Sequence, residues 1–182
     1  MNFCSKCGSD QLEFEIPMGD NRKRHSCIIC GTIHYQNPKI IVGCLPVWED
    51  KVLLCRRSIE PRAGYWNIPA GFMENGETVE QGAAREVLEE AEAVVENLRL
   101  HAVYNLPIIN QVYLLYVGDL KDGKFGVGEE TLESKLYTED EIDWHGIAFA
   151  SSTFTLKTFF ADRARGKFEL HTGEYVHGRV GG

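Results

Sequence analysis

The chain has 182 residues, 43% of them hydrophobic and 10% aromatic, with no biased tract and a formal charge of -8. That length buries one substantial core with a small module beside it, and the composition argues against disorder. Apolar stretches such as Ile40 to Val47 and Val112 to Val117 are too short to cross a bilayer, and Met1-Asn2-Phe3-Cys4 carries no apolar signal, so a cytoplasmic protein with no membrane partner is expected. The acidic balance repels nucleic acid, and it repels a phosphorylated small molecule equally unless bound cations reverse the sign locally. Residues 1 to 43 carry +1 and the remainder -9, so the acidic excess belongs to the larger part.

Four of the six cysteines lie in two knuckles, Cys4-Ser5-Lys6-Cys7-Gly8 and Cys27-Ile28-Ile29-Cys30-Gly31, with 19 residues between them. Two such pairs, each followed by glycine, have the spacing of a tetrahedral site for structural Zn2+, with all four positions filled by thiolates. Disulfides or a redox pair are the alternative, and nothing indicates an oxidising compartment. Leu12 to Pro17 alternates like a strand, and a turn at Gly19-Asp20-Asn21 leads into Arg22 to Ser26, giving a hairpin too small to persist without its metal. Arg22-Lys23-Arg24-His25 reads either as a solvated surface or as a phosphate or nucleic-acid contact. Cys44 and Cys55 read as buried thiols. The expected boundary places a zinc ribbon at 1-36 and a second domain at 37-182.

After His34-Tyr35-Gln36-Asn37-Pro38, the run Ile40 to Trp48 reads as a buried strand and Lys51 to Arg56 as its hairpin partner. A loop with Pro61, Gly64, Pro69, Gly71 and Gly76 precedes a helix from Glu77 to about Ala93, whose apolar stripe is Ala84, Val87, Leu88 and Ala91. Leu98 to Tyr104, Gln111 to Val117 and Leu132 to Tyr137 read as strands, and Glu139 to Ile142 as one helical turn. Ser152 to Arg165 reads as a final helix capped by serine or threonine and ended by Gly166. Residues 166 to 182 read as a short hairpin or loose tail. The fold class is α/β, with a mixed sheet and helices on its faces.

At about 100° per residue, Glu86, Glu89 and Glu90 share one helix sector, opposite the apolar stripe. Three like charges there raise one another's pKa unless a cation sits among them, and Mg2+ suits carboxylates, waters and phosphate oxygens. Gly82, one turn earlier, leaves room for a ligand on that face. Arg85 is placed to pair with Glu77 or Glu89. A solvated acidic surface is the plain alternative; the glycine-rich loop ahead of the helix favours a site.

Gly71, Glu77 and Arg85-Glu86-Val87-Leu88-Glu89-Glu90-Ala91-Glu92-Ala93 resemble the Nudix box and match each of its charged positions. The departures are Glu92, where glycine is usual, and Ala93, where a larger aliphatic is usual, so an altered exit with a longer helix is expected. Trp66-Asn67-Ile68-Pro69-Ala70-Gly71-Phe72 resembles the entry loop of family members acting on ADP-ribose-like substrates. With the four-cysteine ribbon and His34 to Pro38, the resemblance spans nearly the whole chain.

The resemblance implies an alpha/beta/alpha sandwich and Mg2+- or Mn2+-dependent cleavage of a nucleoside diphosphate linked to another moiety, releasing AMP from ADP-ribose or FAD. It implies Glu86, Glu89 and Glu90 as metal ligands with the Gly71 carbonyl, Arg85 and Glu77 as shaping groups, and a homodimer. A further acid from outside the box, Glu130 or Glu133, is a candidate base or ligand. Tyr65, Trp66, Phe72, Tyr104 and Phe154 are candidates for stacking, and Arg56, Arg57 and Arg62 for meeting phosphate. An NADH pyrophosphatase is the alternative, weakened because the serine-glutamine-proline-tryptophan-proline-phenylalanine-proline signature is absent. The other readings are an RNA- or protein-binding ribbon on an inactive scaffold, and a hydrolase of oxidised nucleoside triphosphates.

Overall fold

The computed structural model describes residues 1 to 175, and the chain forms two compact units, Met1–Asn37 and the part from Pro38 onward. In the first, β1 (Leu12–Glu15), β2 (Arg24–Cys27) and β3 (Ile33–His34) form an antiparallel sheet in that order. Only Cys4, Pro17 and Cys27 are buried in this unit, while Phe3, Phe14, Ile16, Met18, Ile28 and Ile29 are exposed. No apolar core holds the hairpin together, so its order rests on the cysteines.

The second unit is a mixed sheet of eight strands. These are β4 (Lys39–Trp48), β5 (Lys51–Arg57), β6 (Trp66–Asn67), β7 (Ala70–Phe72), β8 (Val95–Leu106), β9 (Gln111–Leu120), β10 (Thr131–Tyr137) and β11 (His171–Glu174). The main path runs β10-β5-β4-β9-β8-β11, with β6 on β5 and β7 on β4. The β4–β9 and β8–β11 pairs are parallel and the rest antiparallel. Pleating sends alternate residues to opposite faces. Val42, Cys44, Leu53 and Cys55 therefore pack under helix α1 (Val79–Ala91), whereas Leu45, Val52 and Leu54 pack under helix α2 (Ala150–Arg165). This is the expected sandwich. Both inner thiols are fully buried, and burial pushes Cys55 up to about 12.

The helices differ from the sequence reading at their ends and faces. Helix α1 starts at Val79, because Thr78 caps it and forms a reciprocal capping box with Gln81. Its buried face is Gly82, Ala83, Glu86, Val87, Glu90 and Ala91, while Leu88 is 54% exposed. Two glutamates thus lie on the packed side of the helix and not opposite it. The longer helix is also absent: α1 stops at Ala91 and Glu92 adopts the left-handed conformation, φ 48° and ψ 34°. A glutamate makes the turn that glycine makes at lower steric cost.

Helix α2 has Phe149 at its N-cap without a side-chain cap, contrary to the expected serine or threonine, and ends at Gly166 with φ 65°. The tail after it is neither hairpin nor loose as far as Tyr175, since β11 adds to the sheet parallel to β8; residues 176 to 182 lie outside the described part. Glu139–Glu141 forms the expected single turn, of 3-10 type. Among the described residues no helix is long and apolar enough to cross a membrane.

Candidate active site

Helix α1, strand β7 and the loop before β10 meet at a cleft of about 1250 Å³, whose lining includes Gly71, Arg85, Glu86, Glu89, Glu90, Glu129 and Glu130. Glu86 and Glu90 are each only 8% exposed, while Glu89 is exposed. Strand β7 lies so close to α1 that a Cβ on Gly71 would sit 2.4 Å from Oε1 of Glu86. Glycine there lets the strand approach without pushing the carboxylate aside. Gly82 has a different use from the one expected: a Cβ would meet Oε1 of Glu77 at 2.5 Å and Cγ2 of Val42 at 2.8 Å, so it seats the helix on the sheet.

Arg85 gathers the surrounding charges. Its Nε and Nη2 donate to the two carboxylate oxygens of Glu77 at 3.0 and 2.9 Å, and Nη1 donates to Glu86 at 2.6 Å and Glu89 at 3.0 Å. Nη2 also reaches the Phe72 carbonyl, joining β7 to the helix. The Arg85 pair and the Glu74 amide hold Glu77 down at about 2. Glu77 therefore serves as an ionised brace for the arginine.

The buried carboxylates behave oppositely. Burial raises Glu86, partly offset by Arg85. Burial pushes Glu90 to about 8, with the Ala70 amide at 3.2 Å opposing it and the charges of Glu86 and Glu130 adding to it. Such a pair is poorly neutralised by the protein alone. Hard carboxylate oxygens lining an open cleft are the donor type that Mg2+ or Mn2+ takes, so the residues suit a divalent cation.

The acidic loop is pinned to the end of α1. The amides of Gly126 and Gly128 donate to the carbonyls of Ala91 and Glu90 at 2.6 and 3.0 Å, satisfying acceptors that the helix leaves open. On the other side, the Ser58 amide donates to the Glu130 carbonyl at 2.9 Å. A Cβ on Gly128 would stand 1.7 Å from the Glu89 carbonyl oxygen, a clash with backbone that cannot be relieved locally. Gly128→Ala is expected to lose about 2 kcal/mol or more of stability. It should also lower turnover by displacing Glu129 and Glu130, checked by thermal melting and steady-state kinetics of the same preparation.

Glu130 lines the cleft, whereas Glu133 lies on β10 with its carboxylate 3.9 Å from Arg56 and does not line it. Arg57 and Arg62 line the cleft. Arg56 does not; it donates to the Gly64 carbonyl. Of the stacking candidates only Phe72 lines the cleft. Trp66 packs edge-on against Tyr137 at 5.1 Å, Tyr65 lies under Arg62, and Tyr104 packs with Phe154 at 5.3 Å beside Gly173. Sequence reasoning missed Asn67, Tyr113, Phe149, Ser152 and Tyr175, all of which line the cleft. The Ser152 hydroxyl donates to Oδ1 of buried Asn67 at 2.6 Å, fastening the start of α2 to the entry loop.

In the first unit, ligand atoms of Cys4, Cys7, Cys27 and Cys30 all lie within 4.8 Å of one another. The Sγ atoms of Cys4 and Cys30 are 3.7 Å apart and those of Cys7 and Cys27 3.6 Å. A disulfide is excluded at that distance, and a regular tetrahedron with Zn–S near 2.3 Å has edges of about 3.8 Å. The thiols therefore fit Zn2+.

Two family models match the chain, one over each part. The NUDIX domain family model matches residues 37–156, and the model described as Nudix N-terminal, a zinc ribbon, matches residues 2–36. The crystal structure of a NUDIX hydrolase from Nitrosomonas europaea is 53% identical, with a TM-score of 0.91 over 96% of this chain and 99% of that one. An ADP-ribose pyrophosphatase from Streptococcus suis shares the fold at 22% identity and a TM-score of 0.61, over 75% of this chain and 99% of that one. A protein named NAD-capped RNA hydrolase NudC from Vibrio vulnificus is 30% identical over 78% of this chain, and its namesake from Salmonella heidelberg 32% identical over 77%. The chain spans about half the length of these curated relatives, 52% in both cases. The box on α1, the sandwich and the ribbon together place this chain in the Nudix hydrolase family.

Proposed function

We propose that the protein hydrolyses the pyrophosphate bond of a nucleoside diphosphate joined to a second moiety, with Mg2+ or Mn2+ held by Glu86, Glu89, Glu90 and the Gly71 carbonyl. The observation that carries this reading is the pair of buried carboxylates, Glu86 and Glu90, at a cleft large enough for a dinucleotide. A divalent cation bound there supplies positive charge to phosphate oxygens and lowers the pKa of its water.

The side chains have separable tasks. Arg85, braced by Glu77, orients Glu86 and Glu89 and leaves their remaining lone pairs for the cation. Glu130, in the cleft and close enough for its charge to raise Glu86 and Glu90, is the candidate acceptor for the proton of the attacking water. Arg57 and Arg62 offer cationic donors to the phosphates. Zn2+ in the four-cysteine unit is structural, because thiolates fill its coordination shell.

For the second moiety, the resemblance of the entry loop favours ADP-ribose or FAD, and NADH gains from the relatives named NAD-capped RNA hydrolase. The missing proline-rich signature counts against a dedicated NADH enzyme. A homodimer, expected from the family resemblance, is part of the same proposal. The test is to incubate the protein with ADP-ribose, FAD, NADH and nucleoside triphosphates, with and without Mg2+, and to identify products. AMP from at least one of the first three, only with the cation, is expected. No turnover of any member would overturn the reading in favour of a binding module.

A further inference from the structure

Outside the carboxylate cluster, a second polar arrangement surrounds Asp162 on α2, whose side chain is fully buried. One of its oxygens accepts from Arg165, and the other from the Glu169 amide at 3.0 Å and from Nε2 of His171 at 2.8 Å. His101, Asp162 and His171 bring potential metal ligands within 4.8 Å of one another. Three donors already converge on Asp162, one of them a guanidinium, so its charge is satisfied without an ion. The arrangement is better matched to fastening the chain that leaves α2.

What it fastens is the last described strand. With His171 tied to Asp162, β11 enters in register with β8, from His171 opposite Ala102 to Glu174 opposite Asn105. Gly173 passes close against the packed rings of Phe154 and Tyr104, where a Cβ would meet both at 2.9 Å. Asn105 then clamps the strand end, donating from Nδ2 to the Gly173 carbonyl at 3.1 Å and accepting from the Tyr175 amide at 2.9 Å. The next side chain in line, Tyr175, lines the cleft together with Leu106, Ile108, Ile109, Tyr113 and Phe149. These apolar and aromatic walls contrast with the acidic wall formed by α1, and a molecule with a polyphosphate and a planar ring matches both.

We propose that Tyr175 contacts the ring-bearing moiety of the substrate, and that Asp162 and His171 act as positioning residues that hold β11 so Tyr175 reaches it. The proposal rests on the phosphate-cleaving reading of the cleft. It assigns a specificity role to a segment beyond the stretch that the domain family model matches, which ends at residue 156.

The experiment measures kcat and KM with the panel's best substrate for wild type, Tyr175→Ala, Tyr175→Phe, His171→Ala and the Tyr175→Ala/His171→Ala double variant. Tyr175→Ala is expected to raise KM about tenfold with kcat within about twofold, the size of one lost stacking contact. Tyr175→Phe should stay near wild type. His171→Ala should raise KM in the same direction, and the double variant should be no worse than Tyr175→Ala alone, as coupled residues require. An unchanged KM in Tyr175→Ala overturns the contact, and additive effects overturn the positioning role. If wild type turns over no substrate, the hydrolase reading fails separately, and calorimetric binding of ADP-ribose to wild type and Tyr175→Ala reads the same contact. Equal affinities there overturn it. If His171→Ala does not fold, the Tyr175 variants decide the contact, and Asp162→Asn, which keeps the side-chain volume, decides the positioning role by the same KM comparison.

Discussion

Glu90→Gln is expected to make the metal-free protein more stable at pH 8 to 9 while sharply lowering turnover. The folded pKa of Glu90 is about 8, raised from an ordinary value of 4.5 by burial. A carboxyl raised in this way contributes stability that is complete below about pH 4.5 and lost as pH climbs through about 8. Above that pH the apo protein carries a buried charge that the fold disfavours. Glutamine keeps the acceptor for the Ala70 amide and removes the charge. At 1.36 kcal/mol per unit, and discounting for coupling to Glu86 and Glu130, the gain is on the order of 2–4 kcal/mol. That corresponds to a rise of roughly 5–10 °C in melting temperature. The same variant should lose about 10²–10³-fold in kcat, because the group that gathers charge against the phosphate is gone. Melting curves at pH 5 and pH 9 without divalent ions check the sign: the advantage of Glu90→Gln should shrink at pH 5.

Removing the metal from the first unit should unfold that unit and spare the second. Cys27 is buried and its Sγ stands 3.6 Å from that of Cys7, with Pro17 and Cys4 its only buried companions in the unit. Structural zinc contributes roughly 10–16 kcal/mol in peptides of this kind, far above what a three-strand sheet without a core supplies. Cys27→Ser, or a strong chelator, is expected to lower zinc content from about one per chain to near zero. The amides of β1 to β3 should then exchange rapidly. The sandwich has its own two apolar clusters and should keep its slow-exchanging amides. Retained protection of β1 to β3 after zinc loss would contradict a metal-held ribbon.

Much of this was legible in the residues because the signals are local. The cysteine knuckles announce their site by spacing, and the strands from Ile40 to Tyr137 by period and punctuation. The box gathers its charges, Glu77 excepted, within one helix. Legibility failed where tertiary packing overrides a local rule. Amphipathic reasoning sends glutamates outward and Leu88 inward, yet Glu86 and Glu90 are buried and Leu88 is exposed. Violations of that kind collect at sites where function opposes stability. The cleft walls were invisible for a second reason: Tyr113, Phe149 and Tyr175 come from separate elements, and only the sheet order brings them together.

Other misses trace to single contacts. Tyr104 and Phe154 look like stacking platforms in sequence, but the closeness of Gly173 commits them to packing β11. Strand β11, His171-Thr172-Gly173-Glu174, has no apolar alternation to betray it and is drawn into the sheet by Asp162 and Asn105. The altered box end shows the reverse case. Glu92 adopts the turn of the glycine it replaces because the helix is stopped from outside, by Gly126 and Gly128 on the carbonyls of Ala91 and Glu90.

The most direct test is Mn2+ binding, followed by the resonance of the free ion, in wild type, Glu86→Gln and Glu90→Gln at pH 6 and pH 8.5. Wild type should bind at least one ion at pH 8.5 and bind it much more weakly at pH 6, where the proton competes for Glu90. Both variants should lose that binding at either pH. If they take up Mn2+ as wild type does, the buried carboxylates are not the cation's ligands, and the account of the cleft built on them is wrong.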